Sequence, residues 1–359
     1  MITFRTISAN LLRCTNNSKP MKIFTSIVLV FILSLNAKSQ DWHFSQFYYA
    51  PLAQDPALTG NMSGTARVGA NYRSQWASIT APSVYSTFDV FADFQLMRGR
   101  FRGNSLGLGL IMLNDVAGDA NLSTMHVQGS IAYHQSLDGT NNYHISFGLQ
   151  GGFTQKGIDP SKLFFGNQFR DNGFNNNIYS GENLINTTIY ADIGMGVAFS
   201  GQLNKYSQIS FGLGAFHLNK PNESLKEKLQ INQLYTKKVA HASATFGFNN
   251  KVYVFPAASY EYQGPSKEFV GGAAFGLNFT ENKRKVGTVI YIGAFARYNE
   301  SVIPTIGMIT KSLKAGVSYD ITTSTLARPT NGQGGFELAI IYNNLVQSKK
   351  MRKTYCPKF

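Results

Sequence analysis

Charge is scarce in this sequence. Of its 359 residues only 14% are Asp, Glu, Lys or Arg, where an ordinary soluble domain carries roughly a quarter. The chain is poorly supplied to keep a large surface in water. Cysteine is scarcer still, at 2, and proline stands at 11. Cys14 lies in a segment expected to be removed, so Cys356 would stand alone and an intrachain disulfide is excluded. No helical stripe comparable to the alternation described below appears, which argues against a helical fold. No apolar run reaches the roughly 20 residues that a membrane-crossing helix needs. What the chain has in quantity is Phe (27), Tyr (18) and Gly (34).

The stretch "MKIFTSIVLVFILSLNAKS" (21–39) has a basic start at Lys22, an apolar core from Ile23 to Leu35 and an Ala37-Lys38-Ser39 end. It reads as a secretion signal, with Gln40 or Asp41 the first mature residue. Residues 1–20 either precede the true start at Met21 or lengthen the signal, and Arg13 before Cys14 argues against a lipoprotein site. Removing 1–39 takes five basic side chains and no acidic ones, leaving 28 against 19, or +9. That excess does not mark a nucleic-acid binder, because no compact basic helix or aromatic-basic recognition motif accompanies it. Its runs, "RGRFR" (98–102), "KRK" (283–285) and "KKMRK" (349–353), are short and are placed between strands or at the tail.

From residue 63 onward apolar and polar side chains alternate, the mark of strands whose two faces meet different surroundings. Ala66, Val68, Ala70 and Tyr72 oppose Arg67, Gly69, Asn71 and Arg73, and the pattern recurs along the chain. It predicts fourteen strands, at 63–75, 84–94, 104–114, 121–135, 142–153, 187–201, 207–217, 237–248, 250–262, 268–280, 286–298, 301–311, 313–323 and 334–345. Most have the length a tilted strand needs to cross a bilayer. Pro256 and Pro304 fall inside two of them and are expected at bulges or edges.

Loop lengths bear on the same question. With the amino terminus on the periplasmic side, the longest connections, 154–186 and 218–236, fall outside together with 76–83 and 324–333, while the Asn249-Asn250 turn falls inside. Outer-membrane barrels distribute their loops this way. A strand in lipid must also hydrogen-bond on both sides, so only a closed sheet avoids unpaired groups costing several kcal/mol each. The expected fold is an all-β transmembrane antiparallel barrel of 63–345, with a short segment 40–62 before it and a periplasmic tail 346–359 after it. The competing reading is a soluble all-β protein of two sandwiches.

No constellation for catalysis or cofactor binding stands out. "GGAAFG" (271–276) and "GMGVAFSG" (194–201) lack the following Lys-Ser/Thr and helix of a phosphate loop. His134 and His144 are expected to face each other across a hairpin into the lumen, but two ligands do not make a zinc site. "DNGFNNNIYSGE" (171–182) places Asp171, Asn175, Asn177 and Glu182 at a spacing faintly like a calcium loop, without its sixth-position Gly or flanking helices. Ser146 lies two residues from His144 with no carboxylate to place behind that His. Neither metal, cofactor nor enzyme activity is expected.

The stretch "FSQFYYAPLAQDPALTGN" (44–61) breaks the alternation. Pro51, Pro56 and Gly60 forbid a continuous strand or helix, while Phe44, Phe47, Tyr48, Tyr49 and Leu52 offer apolar contact. A barrel of about fourteen strands is too wide for its own side chains to fill. The segment is therefore expected either to plug the barrel from the periplasm or to cap its end, at one rim in both cases. Its named candidates are Phe44, Ser45, Gln46, Phe47, Pro51, Pro56 and Gly60.

These residues carry a resemblance. Phe44-Ser45-Gln46 matches the F-S-Q with which the PorP/SprF family of Bacteroidetes outer-membrane proteins begins, and Asp55-Pro56-Ala57 with Gly60 resembles its N-P-A…G. Asn71-Tyr72-Arg73-Ser74-Gln75-Trp76 is similar to its N-Y-R-x-Q-W; "GLGLIMLNDVAG" (107–118) and "FGLQGGFTQKGIDPSKLFFGNQF" (147–169) resemble its next recurring segments. The resemblance implies a non-enzymatic outer-membrane barrel of the type IX secretion and gliding pathway. Its implied partners are outer-membrane lipid, a secreted adhesin-like protein with a type B C-terminal domain, and periplasmic components of the machinery. On that implication, loops 154–186, 218–236 and 76–83 are expected to form the partner surface, with Phe164, Phe165, Phe169, Phe174 and Tyr179 as contact points, although such aromatics also pack a loop against itself. A porin or transporter for a small solute is the alternative that a polar inner face allows.

Overall fold

The computed structural model describes residues 41–77, 84–101, 103–170, 173–175, 177–226, 232–280 and 287–344. The signal segment, the "KRK" run and the tail lie outside them. Strand β1 spans Ala66–Gln75, β2 Val84–Phe101, β3 Asn104–Gly118, β4 Leu122–Ser136 and β5 Tyr143–Gly157. Two short strands, β6 (Phe169–Arg170) and β7 (Gly173–Phe174), pair with each other. Then follow β8 (Thr187–Gln202), β9 (Gln208–Phe216), β10 (Lys237–Phe248), β11 (Val252–Gln263) and β12 (Ser266–Asn278). The last four are β13 (Val289–Arg297), β14 (Ser301–Ile309), β15 (Leu313–Thr322) and β16 (Gln333–Asn344). All but β6 and β7 form one closed antiparallel barrel of fourteen strands, sealed where Ala66 pairs with Asn344 and Gln75 with Gly335. The two-sandwich reading is thereby excluded.

Alternation sorts the wall as expected. On β5, Leu149 and Phe153 point outward, 60% and 67% exposed, while Ser146 and Thr154 on the opposite face are fully buried inside. Leaving a side chain of that size in water forfeits about 1.5–3 kcal/mol. A ring of such residues, among them Leu110, Ile189, Leu213, Ile292 and Ile306, is stable only against acyl chains.

Three expectations needed correction. The inner face is not uniformly small and polar: Tyr253, Phe255, Val289, Tyr291 and Ile309 form a buried apolar cluster on β11 to β14. Where both faces of a strand are apolar, period two cannot reveal what fills the inside. Pro256 and Pro304 occupy neither bulge nor edge. Pairing of β10 with β11 passes from Ser243↔Ala257 to Phe246↔Val254, and of β14 with β15 from Val302↔Ile321 to Thr305↔Ser318, each without a change of register. The ladder skips the positions where proline has no N–H to give. Finally, β2 runs on through Arg98 and Arg100 to Phe101, so this basic run belongs largely to a strand; a register shift follows Leu96, and Met97 takes a φ of 58°.

Connections obey the expected parity. The two longest, 158–186 and 217–236, leave the same end of the barrel, called here the loop end. At the other, the turn end, Asn249 and Asn250 have φ of 51° and 55°, the positive pair that a two-residue hairpin turn requires.

Candidate functional site

The amino-terminal segment makes its contacts inside the barrel. Pro51 and Pro56 each begin a short helical turn, Pro51–Gln54 and Pro56–Leu58, preceded by another at Phe47–Tyr49. Proline suits such a start because the first N–H of a helix has no partner anyway. The Asp55 carboxylate accepts from the Ala57 N–H at 2.7 Å, capping the third turn, and its other oxygen lies 2.9 Å from His241 Nε2. Gly60 closes the segment with a φ of 72°, its Cα so near Gly107 that a Cβ would come within 2.6 Å of that backbone.

At its start, Ser45 is the hub of a buried ionic cluster. Its hydroxyl donates to Asp320 Oδ1 at 2.8 Å and receives Arg73 Nη1 at 2.8 Å and Arg297 Nη2 at 2.7 Å. The Ser45 and Gln46 backbone N–H groups donate to the two carboxylate oxygens of Glu337, at 2.7 and 2.9 Å. Arg73 also pairs with Glu337, and both Arg73 and Arg297 reach Asp320 Oδ2, at 3.0 and 2.9 Å. Each buried cation here faces buried carboxylates, and Arg297 also reaches Glu268 and Glu300, so no charge of the cluster is left without an opposite one.

Further along, Asn71 Nδ2 donates to the Tyr49 carbonyl at 3.2 Å, and the Tyr49 and Tyr291 hydroxyls lie 2.9 Å apart. Gln54 Nε2 donates to Ser259, and Gln150 Nε2 donates to the Leu52 carbonyl at 3.3 Å. Arg67 grips Asp93 through two nitrogens, at 2.9 and 2.7 Å, and also donates to the Leu58 carbonyl; Asp93 in turn accepts from the Gly60 N–H at 2.6 Å. Thr59 is held by Ser130 and by His134 Nε2, 2.8 Å from its carbonyl. Phe47 packs with Ala257, Val270, Phe295 and Ile303, and Leu52 with Phe91, Ile111 and Ile341. Gly148 on β5, Gly196 on β8 and Gly214 on β9 lie against Gln54 to Ala57. Counting strand by strand, the segment reaches all fourteen walls of the barrel.

All seven segment residues named from the sequence lie within or beside these contacts, but not at one rim. Ser45 sits among residues near the loop end and Thr59 near the turn end, so the segment runs down the lumen. The reason is electrostatic: the acceptors and cations that satisfy its backbone are spread along the wall. Sequence reasoning passed over Arg67, Asp93, His241, Arg297, Asp320 and Glu337. The available signal was their position, since inward charges on membrane-crossing strands are costly and persist for a purpose. His134 also departs from expectation. It faces Ser146, with Nδ1 2.7 Å from that hydroxyl, while His144 pairs with Ser136.

The outer loops form a second surface. Loop 158–186 meets loop 217–236 through the Ile185 N–H donating to the Leu225 carbonyl at 2.8 Å and through Lys226 paired with Glu182 at 2.9 Å. Lys156, at the end of β5, pairs with Glu223 at 2.7 Å. Phe164 stacks edge-on against Phe174, ring centroids 4.9 Å apart, and Phe174 pairs with Phe169 across β6 and β7. Even so, Phe164, Phe169 and Tyr179 remain 70%, 66% and 72% exposed, and Phe165 is half-buried. Hydrogen bonds from the Ser161 hydroxyl and N–H, with Lys162 beside it, hold the Asp159 carboxylate below the usual range. Asp171 lies outside the described residues. Among those described, no three His, Cys, Asp or Glu side chains are grouped to hold a metal.

A closed antiparallel barrel with an apolar belt, short turns at one end and long loops at the other is an outer-membrane protein. One solved structure agrees on the fold. The toluene transporter TbuX of Ralstonia pickettii is similar at a TM-score of 0.50 and 11% identity, over 83% of this chain and 94% of that one. The toluene transporter TodX of Pseudomonas putida gives 0.48 and 7%, over 85% and 94%. No curated protein matches the sequence. Residues 36–342 match the family model of the type IX secretion system membrane protein PorP/SprF, and the chain belongs to that family.

Proposed function

We propose that this barrel is a non-enzymatic holder of a cell-surface protein in the type IX secretion and gliding pathway, retaining or helping to export an adhesin-like partner with a type B C-terminal domain. It would at the same time join periplasmic components of the machinery to the outer membrane. One observation carries the reading. Two long loops interlock at one end of a barrel whose interior is taken up by its own chain, and they present Phe164, Phe169 and Tyr179 to solvent. Exposed aromatics on loops held by a rigid scaffold are what a protein partner docks on. The segment 42–60 acts as a plug in this reading. A porin or small-solute transporter would need an aqueous path, and the contacts of that segment with every strand argue against a wide one.

The reading is tested by replacing Phe164, Phe169 and Tyr179 together with Ser in the native host and following a co-encoded surface protein. We expect the barrel to accumulate, with its folded, heat-modifiable mobility intact, while surface display of the partner and its co-purification are lost. Full display on the triple variant would exclude these loops as the holding surface.

A further inference from the structure

The course of the segment through the lumen fixes which end of the barrel its first residues occupy. Lys237, the first residue of β10, donates to the Trp42 carbonyl at 3.2 Å, with its ammonium 4.9 Å from the Trp42 ring. His43 Nδ1 lies 3.4 Å from Glu268, the third residue of β12. Both strands begin at the loop end. Ser45 lies among Arg73, Arg297 and Asp320, all within three residues of a strand terminus at that same end. Below them, Gln54 and Asp55 meet Ser259 and His241 in mid-strand. Lower again, the Thr59 carbonyl meets His134, two residues from the turn end of β4, and Gly60 abuts Gly107 near the start of β3. Exposure follows the same order: Asp41 to His43 are partly exposed, and Phe44 to Phe47 are buried.

We infer that the segment is threaded through the barrel with its amino-terminal end at the loop end, so that Trp42 and His43 form part of the extracellular face together with the loops. The inference builds on the outward placement of the loops assumed above. It makes the segment a continuous line from the outer mouth to the first residue of β1 at the opposite end. Three bonds tie β1 to it, through Arg67, Asn71 and Arg73, and Glu337 ties it to β16. The two strands of the seam, β1 and β16, are thus both tied to the segment from the lumen side. A partner that binds the outer mouth also meets the end of this line. The Ser45 cluster is the clasp that such binding would load first.

Three single-cysteine variants in a C356S background test the threading on intact cells with a membrane-impermeant maleimide. Asp41→Cys reports the segment's start, Tyr179→Cys the long loop, and Lys251→Cys the opposite turn. Heat-modifiable mobility confirms that each barrel is folded. We expect Asp41→Cys and Tyr179→Cys to label on intact cells, and Lys251→Cys to label only after the outer membrane is permeabilised. Asp41→Cys behaving like Lys251→Cys would overturn the inference. Should the loops face the other way, Tyr179→Cys fails on intact cells. The proposed function then fails with it, yet threading still stands or falls on whether Asp41→Cys follows Tyr179→Cys or Lys251→Cys. If Asp41→Cys does not fold, a short epitope placed before Gln40 gives the same reading by antibody access.

Discussion

Arg297 shows how much rests on single side chains in this lumen. It is almost fully buried, and it contacts Asp320, Glu268, Glu300 and the Ser45 hydroxyl. Replacing one member of a buried ion network strands the others in a poor solvent and costs about 3–5 kcal/mol. Arg297→Gln should therefore lower the urea midpoint of the folded band by a corresponding amount. An unchanged midpoint would show that water already solvates the cluster. Asp55 gives the opposite case. An Asn there, as the family's motif has it, keeps an oxygen for the Ala57 N–H and offers an amide to His241. Asp55→Asn should then cost less than about 1 kcal/mol, whereas Asp55→Ala leaves those groups unpaired at about 1–3 kcal/mol. Comparing the two unfolding midpoints decides whether the contact is one of geometry or of charge.

At the scale of elements, the strands were legible and the segment was only half so. Strand limits such as 237–248 coincide with β10, because alternation is set by the same two-sided surroundings that make a strand. The segment's prolines marked its breaks and its aromatics marked it as a packing piece. Its path was hidden, because Ser45 meets Asp320 and Glu337 across nearly 300 residues of chain, and no local pattern encodes such a meeting. The motifs offered a clue in hindsight. Phe44-Ser45-Gln46 and Asn71-Tyr72-Arg73 read as two separate signatures, yet Asn71 and Arg73 bond directly to the segment. They are two halves of one contact. The same reasoning yields a prediction for Gly148, whose missing Cβ leaves room for the Pro56–Ala57 backbone. Gly148→Val should displace that turn and expose the segment to protease in the folded, detergent-solubilised barrel; equal protection in variant and parent would contradict the close approach. The aromatic content of the long loop was legible, but the interlock of the two loops was not, since it depends on backbone groups at Ile185 and Leu225.

For the molecule as a whole, composition already pointed to lipid through its low charge and high Phe and Tyr content. A belt of outward aliphatic and aromatic side chains completes that argument. Leu149, 60% exposed on the outer face of β5, should not tolerate a cation: Leu149→Arg is expected to cost about 2–4 kcal/mol in the folding equilibrium in liposomes if it lies near the midplane. A negligible cost would mean that this face is wet. What remained illegible at this scale was the content of the lumen, since a polar inner wall serves a water-filled pore and a plugged barrel equally well. The segment, through its contacts with every strand, occupies part of that lumen.

Planar-bilayer recording of the intact protein examines that point most directly. With insertion verified by protease protection, the account predicts no steady conductance from the full chain. Stable ohmic channels from that same folded, full-length protein would contradict it.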